Sequence, residues 1–509
     1  DNPAERYFMN QEKINYLPVD DLQRKLAGCH LTTSPLAPDF SLDRLLSTVV
    51  ACRIIKDNNR RQVYCLETPA KGYFLKFSTL ARRKDQWRHF ILPFRKWSEW
   101  NNLHRLLDAG IAAAKPVLKG ENKAGRPHHF FLLTEQIPGL PLKMNTAGDM
   151  RRMGEYAAGL HSKGVYHTDL HSDNIIMTPE GQIRLIDVQQ LFFLPWLPRW
   201  LRVYKMGKIY LKLGPGSDRD LSPDEFIAGY NHKSRTSIGK AVLEKAARRH
   251  QYKKYNSRSK RCCRNSSEFM VVHNADWKGY KRRSFDWEIT DLRQALEKGQ
   301  LLKESHVMSY QGLCIKSHQR RPFHQNRSLT CWKMSRCLDV RGIKVPRALG
   351  YFVIDNVGYF VSELLDGRLD LNTYLSSITD ERTKRRALKK LALWLRKFYD
   401  HRVWQRDFKS ANILCRDGEY YMLDLDGVKI RQANQQKKII NLAQLNASVS
   451  NAISIKDRLR FYYYFTCGDQ PIRQQRRAFY KKVWDITKTK NTSNYDLDLD
   501  KLSSQLDHF

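Results

Sequence analysis

Several things are missing from this sequence, and each absence removes a class of protein. There is no run of about 18 apolar residues, so no membrane-spanning helix is expected. No short apolar core of a secretory leader stands near the start. The ten cysteines are scattered without a CxxC pair or a spacing suited to zinc, and the adjacent Cys262 and Cys263 are too close for easy mutual bridging. That usage predicts a reduced compartment, hence a cytoplasmic protein or one held at a membrane from outside it. Acidic residues are scarce: 52 Asp and Glu stand against 89 Lys and Arg, a formal charge of +37. The surplus predicts an anionic partner or surface, and charge alone admits phosphate-bearing glycolipid, acidic membrane, nucleic acid or nucleotide. No RNA-binding or helix-turn-helix signature accompanies the basic runs, which argues against nucleic acid.

What is present is a short motif, twice. HTDLHSDN puts Asn174 five residues after Asp169, and IRLID places Asp187 after a hairpin-sized gap. This is the working cluster of phosphoryl transfer in kinase-like folds. Asp169 is placed to take a proton from an acceptor hydroxyl or to orient it, while Asn174 and Asp187 offer hard oxygen ligands for Mg²⁺. RDFKSAN repeats the pattern with Asp407 and Asn412, followed by MLDLDG with Asp424 and Asp426. Asp169 and Asp187 are 18 residues apart, and Asp407 and Asp424 are 17 apart. Matching internal spacing over so long a repeat means duplicated domains rather than a solenoid.

The surroundings of the two motifs also match. Residues 1–40 read as a helical extension followed by an extended linker around Pro35 and Pro38. VVACRII, RQVYCLE and GYFLKFS then read as strands, the last carrying Lys76 where a kinase-like fold holds the lysine that contacts the α and β phosphates. After the basic stretch ARRKDQWRHF, the helix-periodic KWSEWNNLHRLLDAGI carries Glu99, in place to fix Lys76 by an ion pair. FFLLTEQIPG reads as a strand ending in a hinge, with Glu135 and its backbone near an adenine edge. No GxGxxG loop precedes Lys76, unlike an ordinary eukaryotic-type protein kinase. In the second half GLCIKSH supplies Lys316 and GYFVSELLDG supplies Glu363. Aligning the Gly-Ile pairs 110/111 and 342/343 sets Cys331 against Glu99, and Gln405 replaces His167. NLAQLNASVS and DRLRFYYYF read as helices of the second helical lobe. Between the copies, Phe192, Phe193, Trp196 and Trp200 interleave with Arg199, Arg202, Lys205 and Lys208, a pattern found at lipid interfaces and more often in a lobe core with a solvated edge.

Together GYFLKF, the Gly-Ile segments, HTDLHSDNII with LIDVQQ, and RDFKSANIL with MLDLDGVKI resemble the bacterial lipopolysaccharide kinases of the Kdo/WaaP type over about residues 45–230 and 300–485. The catalytic loop is also similar to that of aminoglycoside and choline phosphotransferases. The resemblance implies an α+β chain of two tandem protein-kinase-like domains, each with a small β-rich lobe and a helical lobe. The expected division is an extension at 1–40, a first domain at 41–262 and a second at 263–509. It also implies ATP and Mg²⁺ as cofactors, and a Kdo or heptose hydroxyl of the lipopolysaccharide inner core as acceptor. The implied partners are that anionic glycolipid and the cytoplasmic face of the inner membrane. Lys76, Glu99, Asp169, Asn174 and Asp187 form the first set; Lys316, Asp407, Asn412 and Asp424 form the second, with Asp426 as an alternative to Asp424. A protein or small-molecule kinase and a tandem pseudokinase scaffold are the competing readings. Cys331 at the glutamate place puts the second set's activity in question.

Overall fold

Alternation decides the first sheet. GYFLKFST turns Tyr73, Leu75 and Phe77 into the core and Phe74, Lys76 and Ser78 to the opposite face. In the computed structural model the described residues are 16–58, 61–80, 96–122, 128–213, 223–274, 276–303, 306–320, 325–467, 473–490 and 497–498. The chain divides into two units, Asp1–Gln251 and Tyr252–Phe509. The parting falls within helix α7 (Lys240–Ser259), and the expected boundary after residue 262 lies further along, in the turn Lys260–Cys263 that follows this helix.

In the first unit six strands, β1 (His30–Thr33), β2 (Ala51–Asn58), β3 (Arg61–Glu67), β4 (Gly72–Thr79), β5 (Pro116–Asn122) and β6 (His129–Glu135), form one sheet in the order β1-β5-β6-β4-β3-β2. Helices α1 (Val19–Leu26) and α2 (Leu42–Thr48) cover one face, so that Leu22, Leu26, Leu45 and Leu46 join Tyr64, Leu75 and Phe131 in a single core. The stretch read as an extension is therefore part of the lobe from residue 16 onward. HLTT adds a strand to the edge of β5 through backbone bonds with all four side chains exposed, so no apolar alternation announced it. Residues 1–15 of that reading, and the basic stretch 81–90, lie outside the described residues.

The helical lobe contains α3 (Ser98–Asp108), α4 (Ala147–Ser162), α5 (Arg199–Leu213) and α6 (Asp224–Lys233). A capping box between Thr146 and Asp149 starts α4. Helices α4 and α6 cross closely at two glycines. A Cβ on Gly154 would come within 2.3 Å of the Phe226 carbonyl, and one on Gly229 within 2.1 Å of the Arg151 carbonyl. Five short strands, β7 (Leu140–Pro141), β8 (Val165–His167), β9 (Ile175–Met177), β10 (Ile183–Leu185) and β11 (Leu191–Phe193), carry the loop motif on this lobe.

The second unit repeats the plan. Its sheet holds β12 (Phe269–His273), β13 (Lys278–Arg282), β14 (Gln300–Lys303), β15 (Val307–Tyr310), β16 (Leu313–Gln319), β17 (Ala348–Ile354) and β18 (Val357–Glu363). The order β12-β13-β17-β18-β16-β15-β14 is that of the first sheet with one strand added at the edge. Helices α8 (Ile289–Lys298), α9 (Arg327–Asp339), α10 (Leu371–Ser377), α11 (Glu381–Asp400), α12 (Gln435–Ala447), α13 (Ile455–Thr466) and α14 (Arg476–Lys488) complete it. The loop motif sits among β19 (Leu369–Asp370), β20 (Val403–Gln405), β21 (Ile413–Arg416), β22 (Glu419–Met422) and β23 (Val428–Ile430). Among the described residues no helix is long and apolar enough to cross a membrane.

Candidate active site

The strand lysine and the helix glutamate meet. Lys76, on the face of β4 turned from the core, forms an ion pair with Glu99 in the first turn of α3. Glu99 is buried, and its other oxygen lies 3.3 Å from the Arg61 guanidinium, which also reaches within 3.9 Å of Asp187. A carboxylate held under two cations in a part-buried place is fixed in rotamer, and so is Lys76. Asn102, one turn along α3, donates to the carbonyls of Val188 (2.8 Å) and Leu191 (3.1 Å) and ties that helix to the segment after Asp187.

The loop is built on one histidine. His167 Nδ1 accepts the Asp169 amide at 3.1 Å, which leaves Nε2 to donate to the Asp187 carbonyl at 3.2 Å. Burial, with the charge of Lys205 behind it, pushes the ring down to about 4, so it stays neutral and keeps both roles. Asp187 itself is left-handed, φ 54° and ψ 56°, a conformation a β-carbon resists and the bond from His167 helps to hold. Asn174 donates to the Asp169 carbonyl at 3.0 Å, and its own backbone carbonyl accepts the Ile186 amide at 3.0 Å, which ties the loop to the strand end before Asp187. Lys76, Glu99, Asn174 and Asp187 line one cleft of about 1200 Å³, which Glu135 and the segment 136–142 line as well. The Glu135 carboxylate is already engaged by Lys71 at 2.6 Å and Lys115 at 3.8 Å. Asp169 carries Lys208 on Oδ1 at 2.7 Å, and this bond holds its carboxyl below the usual range.

The second set converges differently. Gln405 reproduces one of the histidine's two bonds: Nε2 donates to the Asp424 carbonyl at 2.9 Å, while Oε1 accepts the amide of the next residue, Arg406, at 3.1 Å in place of the loop aspartate's. Asp424 is left-handed too, φ 50° and ψ 59°, which makes it, and not Asp426, the counterpart of Asp187. Asn412 donates to the Asp407 carbonyl at 3.0 Å, as Asn174 does to Asp169. The alignment of the Gly-Ile pairs holds, since Gly110 (φ 66°) and Gly342 (φ 65°) end equivalent helices and set buried Cys331 at the place of Glu99. With no carboxylate there, Lys316 turns to Asp424 at 2.6 Å. Asp426 is buried against Arg327 (2.5 Å) and Lys316 (3.9 Å). Glu363 accepts the Arg347 amide at 2.9 Å.

Three residues escaped the sequence reading: Arg61 on Glu99, Arg327 on Asp426, and Lys208 on Asp169. The aromatic and cationic stretch that holds Lys205 and Lys208 divides between core and edge, the commoner of its two expected readings. Lys205 is 1 % exposed, with no hydrogen-bond partner among the described residues, and burial followed by the charge of Lys208 brings it down to about 7. Phe193 lies under the Arg105 guanidinium, 4.1 Å from its ring centre. Phe192, Trp196 and Trp200 do face outward, at 55 %, 70 % and 68 % exposure, with Arg199 among them.

A sheet lobe bearing a Lys–Glu pair above a helical lobe bearing an Asp-x4-Asn loop and a left-handed aspartate defines the protein-kinase-like domain, here present twice, with the Lys–Glu pair in the first copy alone. The model of the lipopolysaccharide kinase (Kdo/WaaP) family matches residues 53–191 and 291–465, and the chain belongs to that family. A 3-deoxy-D-manno-octulosonic acid kinase of Vibrio parahaemolyticus serotype O3:K6 is 30% identical over 96 residues, 18% of this chain and 40% of the relative. One of Vibrio cholerae serotype O1 is 27% identical over 105 residues, 19% and 45% of the two chains. The chain thus spans less than half the length of the curated relatives it matches. Among solved structures, WaaP in complex with acyl carrier protein is 17% identical, with a TM-score of 0.31 and coverage of 44% of this chain and 98% of that one. An aminoglycoside-3'-phosphotransferase of type VIII is 15% identical, with a TM-score of 0.31 and coverage of 45% and 96%.

Proposed function

We propose that the first unit is an ATP-dependent phosphotransferase acting on a hydroxyl of the acidic octulosonic sugar in the lipopolysaccharide inner core, at the cytoplasmic face of the inner membrane. The observation that carries this is the Lys76–Glu99 pair opening on the same cleft as Asn174 and Asp187. Lys76 contacts the nucleotide phosphates and Glu99 keeps it from collapsing onto Asp187. The Asn174 amide oxygen and the Asp187 carboxylate form a small hard-donor set, which suits Mg²⁺, an ion that takes few protein ligands beside phosphate oxygens and water. Among the described residues no group of three or more His, Cys, Asp or Glu could hold a metal, so nucleotide would complete the coordination. Bound there, the ion supplies charge neutralisation of the phosphates. Asp169 accepts or orients the acceptor proton, and the hinge backbone beside Glu135 meets the adenine edge.

The second unit is read as a binding copy. Lys316 and Asp424 neutralise each other at 2.6 Å, so the groups that would meet phosphate and metal are spent on one another. Separate Asp169→Ala and Asp407→Ala proteins, assayed for ATP-dependent phosphorylation of purified core lipid, test both parts. Loss with Asp169→Ala and retention with Asp407→Ala are expected. Full turnover by Asp169→Ala overturns the assignment to the first unit.

A further inference from the structure

The two units place a cation on the loop aspartate from different directions. In the second, Lys409 lies two residues beyond Asp407 and its Nζ is 2.9 Å from Asp407 Oδ2. In the first that place is His171, 3.5 Å from Asp169 Oδ2 and 3.4 Å from Asp173 Oδ2. The close cation there is Lys208, which comes from α5. Helix α12 offers two neutral amides to the same backbone. Asn441 donates to the Gln405 carbonyl at 2.6 Å and Gln444 to the Arg406 carbonyl at 3.0 Å. Lys205 and Lys208 share that three-residue spacing, and Lys208 likewise reaches the carbonyl just before the loop aspartate, Thr168 O, at 3.5 Å. Lys208 then continues past it to the carboxylate, 2.7 Å from Asp169 Oδ1.

Bracing the loop does not require a charge, since Gln444 braces it without one. An ion pair whose partners are 36 % and 53 % exposed also adds little to the fold. The place of Lys208 makes sense for chemistry instead. An acceptor hydroxyl must approach Asp169 while an anionic phosphoryl group arrives from the cleft, and a cation beside the carboxylate offsets that repulsion in the transition state.

We propose that Lys208 is a further catalytic residue of the first unit, a lysine supplied by the helix in place of the loop lysine of the second unit, which contacts the transferring phosphoryl group from the acceptor side. This rests on the phosphotransferase reading. In the step, the acceptor O–H gives its proton to Asp169, and its oxygen bonds to phosphorus. The bond from phosphorus to the bridging oxygen breaks, and nucleoside diphosphate leaves. Lys208 exchanges a hydrogen bond to Asp169 for one to a phosphoryl oxygen and takes no part in the proton transfer.

Lys208→Gln copies Gln444, so it keeps the brace to Thr168 and removes the charge. In the two-unit chain, with ATP and core lipid, we expect kcat to fall at least fiftyfold with KM for ATP and thermal unfolding little changed. Adding His171→Lys, which returns the lysine to its place in the second unit, is expected to recover at least tenfold. A loss below tenfold in Lys208→Gln overturns the proposal, and so does failure of the relocated lysine to recover activity in a protein that unfolds at the parent temperature. Asp169→Asn is run beside them. A parent chain that transfers no phosphoryl group to core lipid refutes the phosphotransferase reading, and full turnover by Asp169→Asn overturns its assignment to the first unit, whereas an inactive Asp169→Asn with a fully active Lys208→Gln refutes this inference alone.

Discussion

Replacing Glu99 by cysteine, the residue at its counterpart 331, is expected to convert the first site to the electrostatics of the second. The substitution removes the carboxylate shared by Lys76 and Arg61 and leaves two cations near Asp187, which Arg61 already approaches at 3.9 Å. Lys76 should then turn to Asp187 as Lys316 turns to Asp424, at 2.6 Å. At that separation the gross attraction is roughly 6 kcal/mol with an effective dielectric of about 20. Partial exposure of both groups reduces this toward the roughly 1.5–3 kcal/mol of a hydrogen bond between charged groups. Metal-nucleotide must displace that contact, so kcat/KM for Mg·ATP should fall by roughly 10- to 150-fold, at 1.4 kcal/mol per factor of ten. Steady-state kinetics at rising Mg²⁺ are the assay, because a metal competing with Lys76 for Asp187 should recover part of the loss. A variant within threefold of the parent, or one whose deficit is indifferent to Mg²⁺, refutes the reasoning.

His167→Leu orphans the Asp169 amide and the Asp187 carbonyl and should cost roughly 2–4 kcal/mol in urea unfolding, whereas His167→Gln should cost less, since Gln405 makes the matching bond to the Asp424 carbonyl in the second unit. The folded ring titrates at about 4, below its ordinary value, so the unfolded chain takes up the proton first; stability is full above about pH 6.5 and is lost as pH falls toward 4. His161, brought down to about 3 by burial, adds a decline of the same sign, so His167→Gln should flatten the parent's curve without abolishing its slope, and an unchanged slope would count against the assigned environment. Phe192, Trp196 and Trp200, with Arg199 among them, form an aromatic and cationic surface suited to an anionic bilayer. Trp196→Ser with Trp200→Ser should lower flotation with anionic liposomes several-fold at low salt; equal flotation would remove this surface from membrane association.

How much was legible depends on how local each signal was. The loop motif spans few residues and its geometry follows from short-range backbone constraints, so Asp169, Asn174, Asp407 and Asn412 could be read from spacing. Lys76 and Glu99 were found because strand alternation and helix periodicity place them on faces that meet. Glu135 and Glu363 do end strands, as the apolar runs before them implied, and their carboxylates are held by Lys71 and by the Arg347 amide, which no local pattern announced. Strand β1 was missed because an edge strand joined only by backbone bonds leaves no apolar pattern.

By itself the sequence determined that there are two kinase-like copies, that the first has a complete set of polar groups, and that the second lacks a glutamate opposite its strand lysine. Tertiary structure alone decided which charge meets which: Lys316 on Asp424, Arg327 on Asp426, Lys208 on Asp169, and Lys205 buried behind them. Periodicity tells which face of a helix or strand a residue occupies. Pairing between charges depends on distances of a few ångströms between segments far apart in the chain, which only packing sets.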